Sequence, residues 1–146
     1  MAKHDNADCQ GFMVPVTVEN VPDVELYGEL CVPKGRTPSA VQLLVHGTTY
    51  NHNYWDWPED PDMHSHVRAA LAAGYATFNV DRLGVGKSTK PASHLVTLAA
   101  TVDTLHQASA SSALEPSAVT VFPKSSISAA RSRPLIDGSR RRCTMT

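Results

Sequence analysis

Two stretches carry the residue types that chemistry needs. The first is Val80–Thr89, VDRLGVGKST, in which two glycines precede a Lys-Ser pair after an apolar run. Such a loop suggests a phosphate cradle, where backbone N–H groups and a helix N-terminus hold the anion. That motif is G-x-x-x-x-G-K-[ST]. Counting back from Gly86-Lys87-Ser88, the required glycine falls at Asp81, whose carboxylate repels phosphate, and Pro91 interrupts the helix that should open there. Nucleotide binding is not the expected chemistry. The second stretch is LLVHGTTYNHNYW, where an apolar run ends in His46-Gly47. A glycine there lets backbone N–H groups approach a reacting group, as in half of an oxyanion hole. The plain alternative is a turn glycine beside a hydrogen-bonded interior histidine.

Other candidates are weaker. His64 and His66 with Asp62 invite a metal reading, but positions i and i+2 do not share a helix face, so no metal site is expected. Tyr50, Tyr54, Trp55 and Trp57 crowd the segment after His46-Gly47. They either line a hydrophobic substrate pocket or pack the long loop onto its scaffold. Asp103 and His106 read as a surface pair, and Ser139–Cys143, SRRRC, as a basic cluster able to meet anions. Cys9, Cys31 and Cys143 are odd in number and lack zinc-ligand spacing, so reduced thiols are expected.

These residues need a scaffold. VPVTVE (14–19) and VELYGELCVP (24–33) alternate apolar and polar and read as two strands, paired as a hairpin across NVPD. AVQLLVHG (40–47) is nearly all apolar, as a strand covered on both faces is. Met63, Val67, Ala70 and Leu71 share one helical face, with Gly74 as the stop. YATFNV (75–80) is a further buried strand. Leu95, Leu98, Ala99, Val102 and Leu105 recur at helical spacing to about His106. A hairpin followed by strand, helix, strand, helix predicts an α/β fold with a mostly parallel sheet and flanking helices.

Composition divides the chain. Its 146 residues suit one domain and carry a net charge of −1, which offers no basis for binding nucleic acid or an anionic membrane. Residues 1–107 hold seven Lys or Arg against twelve Asp or Glu, whereas 108–146 hold six against two. Serine rises from four residues in the first segment to nine in the second. After Gln107 no period of two or 3.6 persists, and only AVTVF (118–122) reads as a strand. The expected organisation is an α/β domain over 1–107 and a disordered or frame-shifted tail over 108–146. The start, MAKHDNADC, has no apolar signal region, and no apolar run nears the roughly 20 residues of a membrane span. A cytoplasmic location is expected.

Taken together, VHGTTYNHNYWDWP and the D-R-x-G-x-G-x-S pattern of Asp81, Arg82, Gly84, Gly86 and Ser88 resemble the amino-terminal half of the α/β-hydrolase superfamily, over about residues 14–107. The resemblance implies a central sheet and hydrolysis of an ester or similar acyl bond in a small-molecule substrate, without a cofactor. It places the first oxyanion donor at the N–H of Thr48, after His46-Gly47. It gives the D-R-x-G-x-G-x-S loop a structural role at the fourth strand's exit. The family's nucleophile sits in a G-x-S-x-G elbow on the fifth strand, followed by an acid and a histidine. No G-x-S-x-G occurs here, and no histidine follows His106. The triad is therefore absent, and the chain is expected to be truncated before the elbow, inactive alone, and short of partners for its fourth strand. A non-catalytic fragment or small-molecule binding module is the competing class. A reading-frame shift would account for the tail: the third-base frame of codons 121–131 permits a strand-like series ending in Gly-x-Ser, and the gene sequence tests it.

Overall fold

A computed structural model describes residues 4–111. The candidate strand 118–122 and the basic cluster 139–143 lie outside the described residues. Four strands form one sheet: β1 (Ala7–Val18), β2 (Val21–Pro33), β3 (Val41–Val45) and β4 (Ala76–Val80). Their spatial order is β1-β2-β4-β3. β1 and β2 are antiparallel, β4 runs antiparallel to β2, and β3 lies parallel to β4. Two of the three pairings are antiparallel, so the described sheet is mixed rather than mostly parallel, with an opening hairpin and then a parallel pair. The fourth strand does not lack a partner as expected: β4 sits inside the sheet, and the edge strands among the described residues are β1 and β3.

The hairpin turns more tightly than its sequence suggests. NVPD is no link, because Val21 already belongs to β2 and the turn is Glu19-Asn20, with Asn20 at φ 61°. Asn is among the few residues that tolerate this left-handed region, since its short polar side chain bonds locally. A register shift between Val16 and Val18 then returns the alternation to phase. Further along, Gly28 faces Phe78 of β4, and a Cβ there would overlap the phenyl ring. Close approach of β2 and β4 therefore requires glycine at 28.

Alternation sorts the side chains into two cores. Val14, Val16, Val24, Leu26, Phe78 and Val80 form one, with Leu83 from the loop after β4 and Ala108 from the final helix. Ala7, Cys31, Leu44, Val67 and Leu71 form the other. Complete burial of Phe78 and Leu26 contributes roughly 1.5–3 kcal/mol each.

The first predicted helix is two. α1 (Pro61–His64) ends at Ser65, which also caps α2 (His66–Ala73) by accepting from the Arg68 N–H at 3.0 Å. Ser65 is extended and bridges to Asp56, so the helix cannot run through it. Met63 is consequently 76% exposed and leaves the apolar face assigned to it. α2 stops at Gly74, φ 94°, as expected.

α3 (Leu98–Ser109) is capped by the Thr97 side chain and runs beyond its expected end near His106. Its buried positions are Thr104 and Ala108, whereas Leu98 and Val102 are 82% and 58% exposed. Of the expected face Leu105 packs against the core, with Ala100 beside it, and Gln107 clips the helix to β1. The Gln107 side chain accepts from the Thr17 N–H at 2.7 Å and donates to the Thr17 carbonyl at 3.0 Å. Gln107 also donates to Asp103 at 2.8 Å, so Asp103 pairs with Gln107 rather than His106.

Cys9 and Cys31 are disulfide-bonded, contrary to the expectation of reduced thiols. They are direct cross-strand partners in the hairpin register, with Cα atoms 4.1 Å apart. Sequence spacing cannot reveal this, because it depends on where the hairpin turns. No helix of the described residues is long and apolar enough to cross a membrane.

Candidate active site

The turn after β3 and the loop after β4 emerge side by side, because the two strands are parallel neighbours. His46 links them. Its Nδ1 lies 2.7 Å from the Gly47 carbonyl, which only accepts, so Nδ1 carries the proton. Its Nε2 is then a lone pair and accepts from the Arg82 N–H at 3.2 Å. This arrangement requires the neutral ring. Burial lowers the pKa of His46 and the Arg82 charge adds to this, against the raising effect of the Gly47 carbonyl. The Arg82 guanidinium also donates to the Gly47 carbonyl at 3.1 Å. A third donor to that oxygen is the N–H of Tyr50. Among the described residues, no hydrogen bond uses the N–H of Thr48. Thr48 itself is exposed. Gly47 has ordinary backbone angles, and a Cβ there would meet only Tyr50 at 3.5 Å.

Asp81 ties the same two segments at a deeper level. Its carboxylate is fully buried and accepts three N–H bonds: His52 backbone at 2.7 Å, His52 Nδ1 at 2.9 Å and Lys87 backbone at 2.9 Å. Burial alone would raise its pKa, but the hydrogen bonds from His52 and Lys87 outweigh that and lower it. The loop can wrap the carboxylate only with glycine at 86, where φ is 55° and a Cβ would overlap Asp81. Gly84, at φ 80°, turns the chain beneath Val96. Ser88 closes the loop onto β2, donating to the Asp81 carbonyl at 2.6 Å and accepting from the Tyr27 N–H at 2.9 Å. The D-R-x-G-x-G-x-S residues thus converge on one buried carboxylate and one strand.

Between the two segments lies a cleft of about 360 Å³, lined by Thr49, Tyr50, Asn51, Asn53, Tyr54, Trp57, Val85 and Gly86. Tyr50, Tyr54 and Trp57 face it as half-exposed rings. Trp55 points elsewhere and packs against the core of Leu44, Val67 and Leu71. It stands in edge contact with Tyr54 and His66. The aromatic cluster is split by a 3-10 turn at His52–Trp55, which sends consecutive rings to different sides.

His64 faces the Glu59 carbonyl, His66 faces Gln42, and Asp62 pairs with Arg68, so the three point to separate partners. The polar residues that sequence reasoning passed over are His52, Asp56, Ser65 and His4. Asn79, buried on β4, donates to the His52 carbonyl and seats that residue above the strand. Asp56 accepts from Ser65 at 2.5 Å and lies 3.0 Å from His4 Nε2. His52 sits in a polar and aromatic tract that carries no local sign of its burial. Only the partner Asp81 shows why it is buried.

The arrangement offers an exposed turn whose Thr48 N–H meets no hydrogen-bond partner among the described residues, held by the His46 and Arg82 bonds beside an aromatic cleft. A comparison with solved structures finds similarity to a novel bacterial esterase, at 18% sequence identity and a TM-score of 0.40. The similarity covers 75% of this chain and 36% of that one, so the chain spans about a third of that esterase. No curated protein matches the sequence. The model of the alpha/beta hydrolase family matches residues 42–122, more than half of the chain and inclusive of both the turn after β3 and the loop after β4, and the chain belongs to that family.

Proposed function

We propose that the described domain supplies the oxyanion turn and one pocket wall of a serine hydrolase acting on ester or similar acyl bonds. The observation that carries this reading is the Thr48 N–H, left uncommitted on a turn held by His46, Arg82 and the Gly47 carbonyl. A preorganised donor of this kind meets the oxyanion of a tetrahedral intermediate without reorganising. Each such donor is typically worth about 2.7–4 kcal/mol of barrier. Tyr50, Tyr54 and Trp57 would bound the acyl or alcohol group of a small substrate. The nucleophile, its histidine and its acid would come from sequence this chain does not contain, since it has no G-x-S-x-G and no histidine after His106.

The chain alone is therefore expected to be catalytically silent. The test is a short-chain p-nitrophenyl ester with the purified protein. The expected result is no turnover above buffer. Turnover abolished by a serine-directed phosphonate would refute the silent reading, and saturable ester binding without turnover would favour a binding module.

A further inference from the structure

We propose that reduction of the Cys9–Cys31 bridge converts this end of the hairpin into a cation site, with His4 as third ligand, for a thiophilic divalent metal such as Zn²⁺. This lies outside the hydrolase reading and involves none of its residues. One ligand atom each from His4, Cys9 and Cys31 lies within 4.8 Å of the other two. A tetrahedral centre with Zn–S bonds of about 2.3 Å and Zn–N bonds of about 2.0–2.1 Å is within reach of small side-chain rotations. Sulfur and imidazole donors select Zn²⁺ over Mg²⁺ or Ca²⁺.

The surroundings of His4 favour the same conclusion. His4 is buried, and its Nε2 lies 3.0 Å from the Asp56 carboxylate, which leaves Nδ1 for a cation. Asp56 is itself fixed by the Ser65 hydroxyl at 2.5 Å. A carboxylate behind a histidine orients the ring toward a metal, as at many zinc centres. Cys9 is exposed, and a cleft of about 440 Å³ opens onto His4 and Ala7. Lys34, Arg36 and Arg68 also line that cleft. Lys34 pairs with Asp8 and Arg68 with Asp62, while the Arg36 guanidinium is turned onto the Leu71 and Ala72 carbonyls at the end of α2.

The chemistry balances through a dithiol. The Cys9–Cys31 S–S bond accepts two electrons and two protons and becomes two thiols, while the dithiol is oxidised to its own disulfide. The cation then displaces both thiol protons to solvent and bonds two thiolates and His4 Nδ1, leaving one position for water. Disulfide and bound cation are mutually exclusive.

The experiment uses the full chain, reduced with dithiothreitol, desalted anaerobically and titrated with Co²⁺ as the probe. One equivalent should bind with thiolate-to-cobalt charge-transfer absorption, and the oxidised protein should show none. Cys31→Ser should abolish the band, and His4→Ala should weaken binding at least tenfold. Cys143→Ser, which removes the remaining thiol, should change nothing. Asp56→Asn keeps all three ligands, so it should retain the band at lower affinity. Absence of the band in the reduced protein, its survival in a Cys9→Ser/Cys31→Ser variant, or its loss in Cys143→Ser would each overturn the proposal.

Discussion

Three N–H groups from two segments point at the carboxylate of Asp81, and Gly86 has no side chain so that they can. Gly86→Ala adds a Cβ at a left-handed φ of 55° and against that carboxylate. The left-handed backbone alone costs roughly 1–2 kcal/mol, and the overlap adds to it. Gly47→Ala meets no obstacle and should stay within about 0.5 kcal/mol of the parent in urea denaturation. Equal losses at the two sites would contradict this account. Acid acts through His46 first. Its folded pKa lies below the ordinary 6.5, so unfolded chains bind the extra proton between the two values. Stability from His46 is complete above about pH 6.5 and falls as the pH drops from there toward its lowered value. Asp81 is also lowered, from 3.8, so its contribution is complete above about that value and is lost as the pH falls from there through the lowered one. The urea midpoint should be lower at pH 5 than at pH 8, and His46→Gln should flatten that difference.

At the scale of elements, Ser65 serves two helices and one loop. It ends α1, caps α2 and donates to Asp56. Ser65→Ala removes the cap, worth about 1 kcal/mol, and strips a partner from a buried carboxylate. A loss of about 2 kcal/mol in thermal or urea unfolding is expected, and Ser65→Thr should recover much of it. The periodicity of 63–71 predicted one helix, because a serine inside a helical pattern looks permissive until Asp56 comes to meet it. Strand existence was more legible. The alternation in β1 and β2 and the apolar runs of β3 and β4 leave few other choices. The docking face of α3 was legible only in part, since Leu105 packs as expected while Leu98 and Val102 are exposed and Gln107 makes the attachment to β1. The loops at the candidate site were half legible. Their motifs are local, but the His52–Asp81 and His46–Arg82 bonds join residues about thirty positions apart.

For the whole molecule, the cross-strand disulfide closes a loop between positions 22 apart. On the loop-entropy account, such a link contributes about 3 kcal/mol by restricting the unfolded chain. Reduction in the presence of EDTA should lower the unfolding free energy by about that amount, and Cys9→Ser should reproduce the effect. An unchanged midpoint would mean that the native hairpin does not depend on the link.

The sheet order also dictates a schedule. β1 and β2 are adjacent in sequence and in space, so the hairpin can close as soon as it leaves the ribosome. β3 is made next, yet its one partner among the described residues is β4, which follows only after segment 46–75. During synthesis, Val41–Val45 therefore waits as an unpaired apolar strand until β4 enters between it and β2. The interval in which this chain is most open to a chaperone, or to another nascent copy, is the time needed to translate the turn and cleft that its proposed function uses.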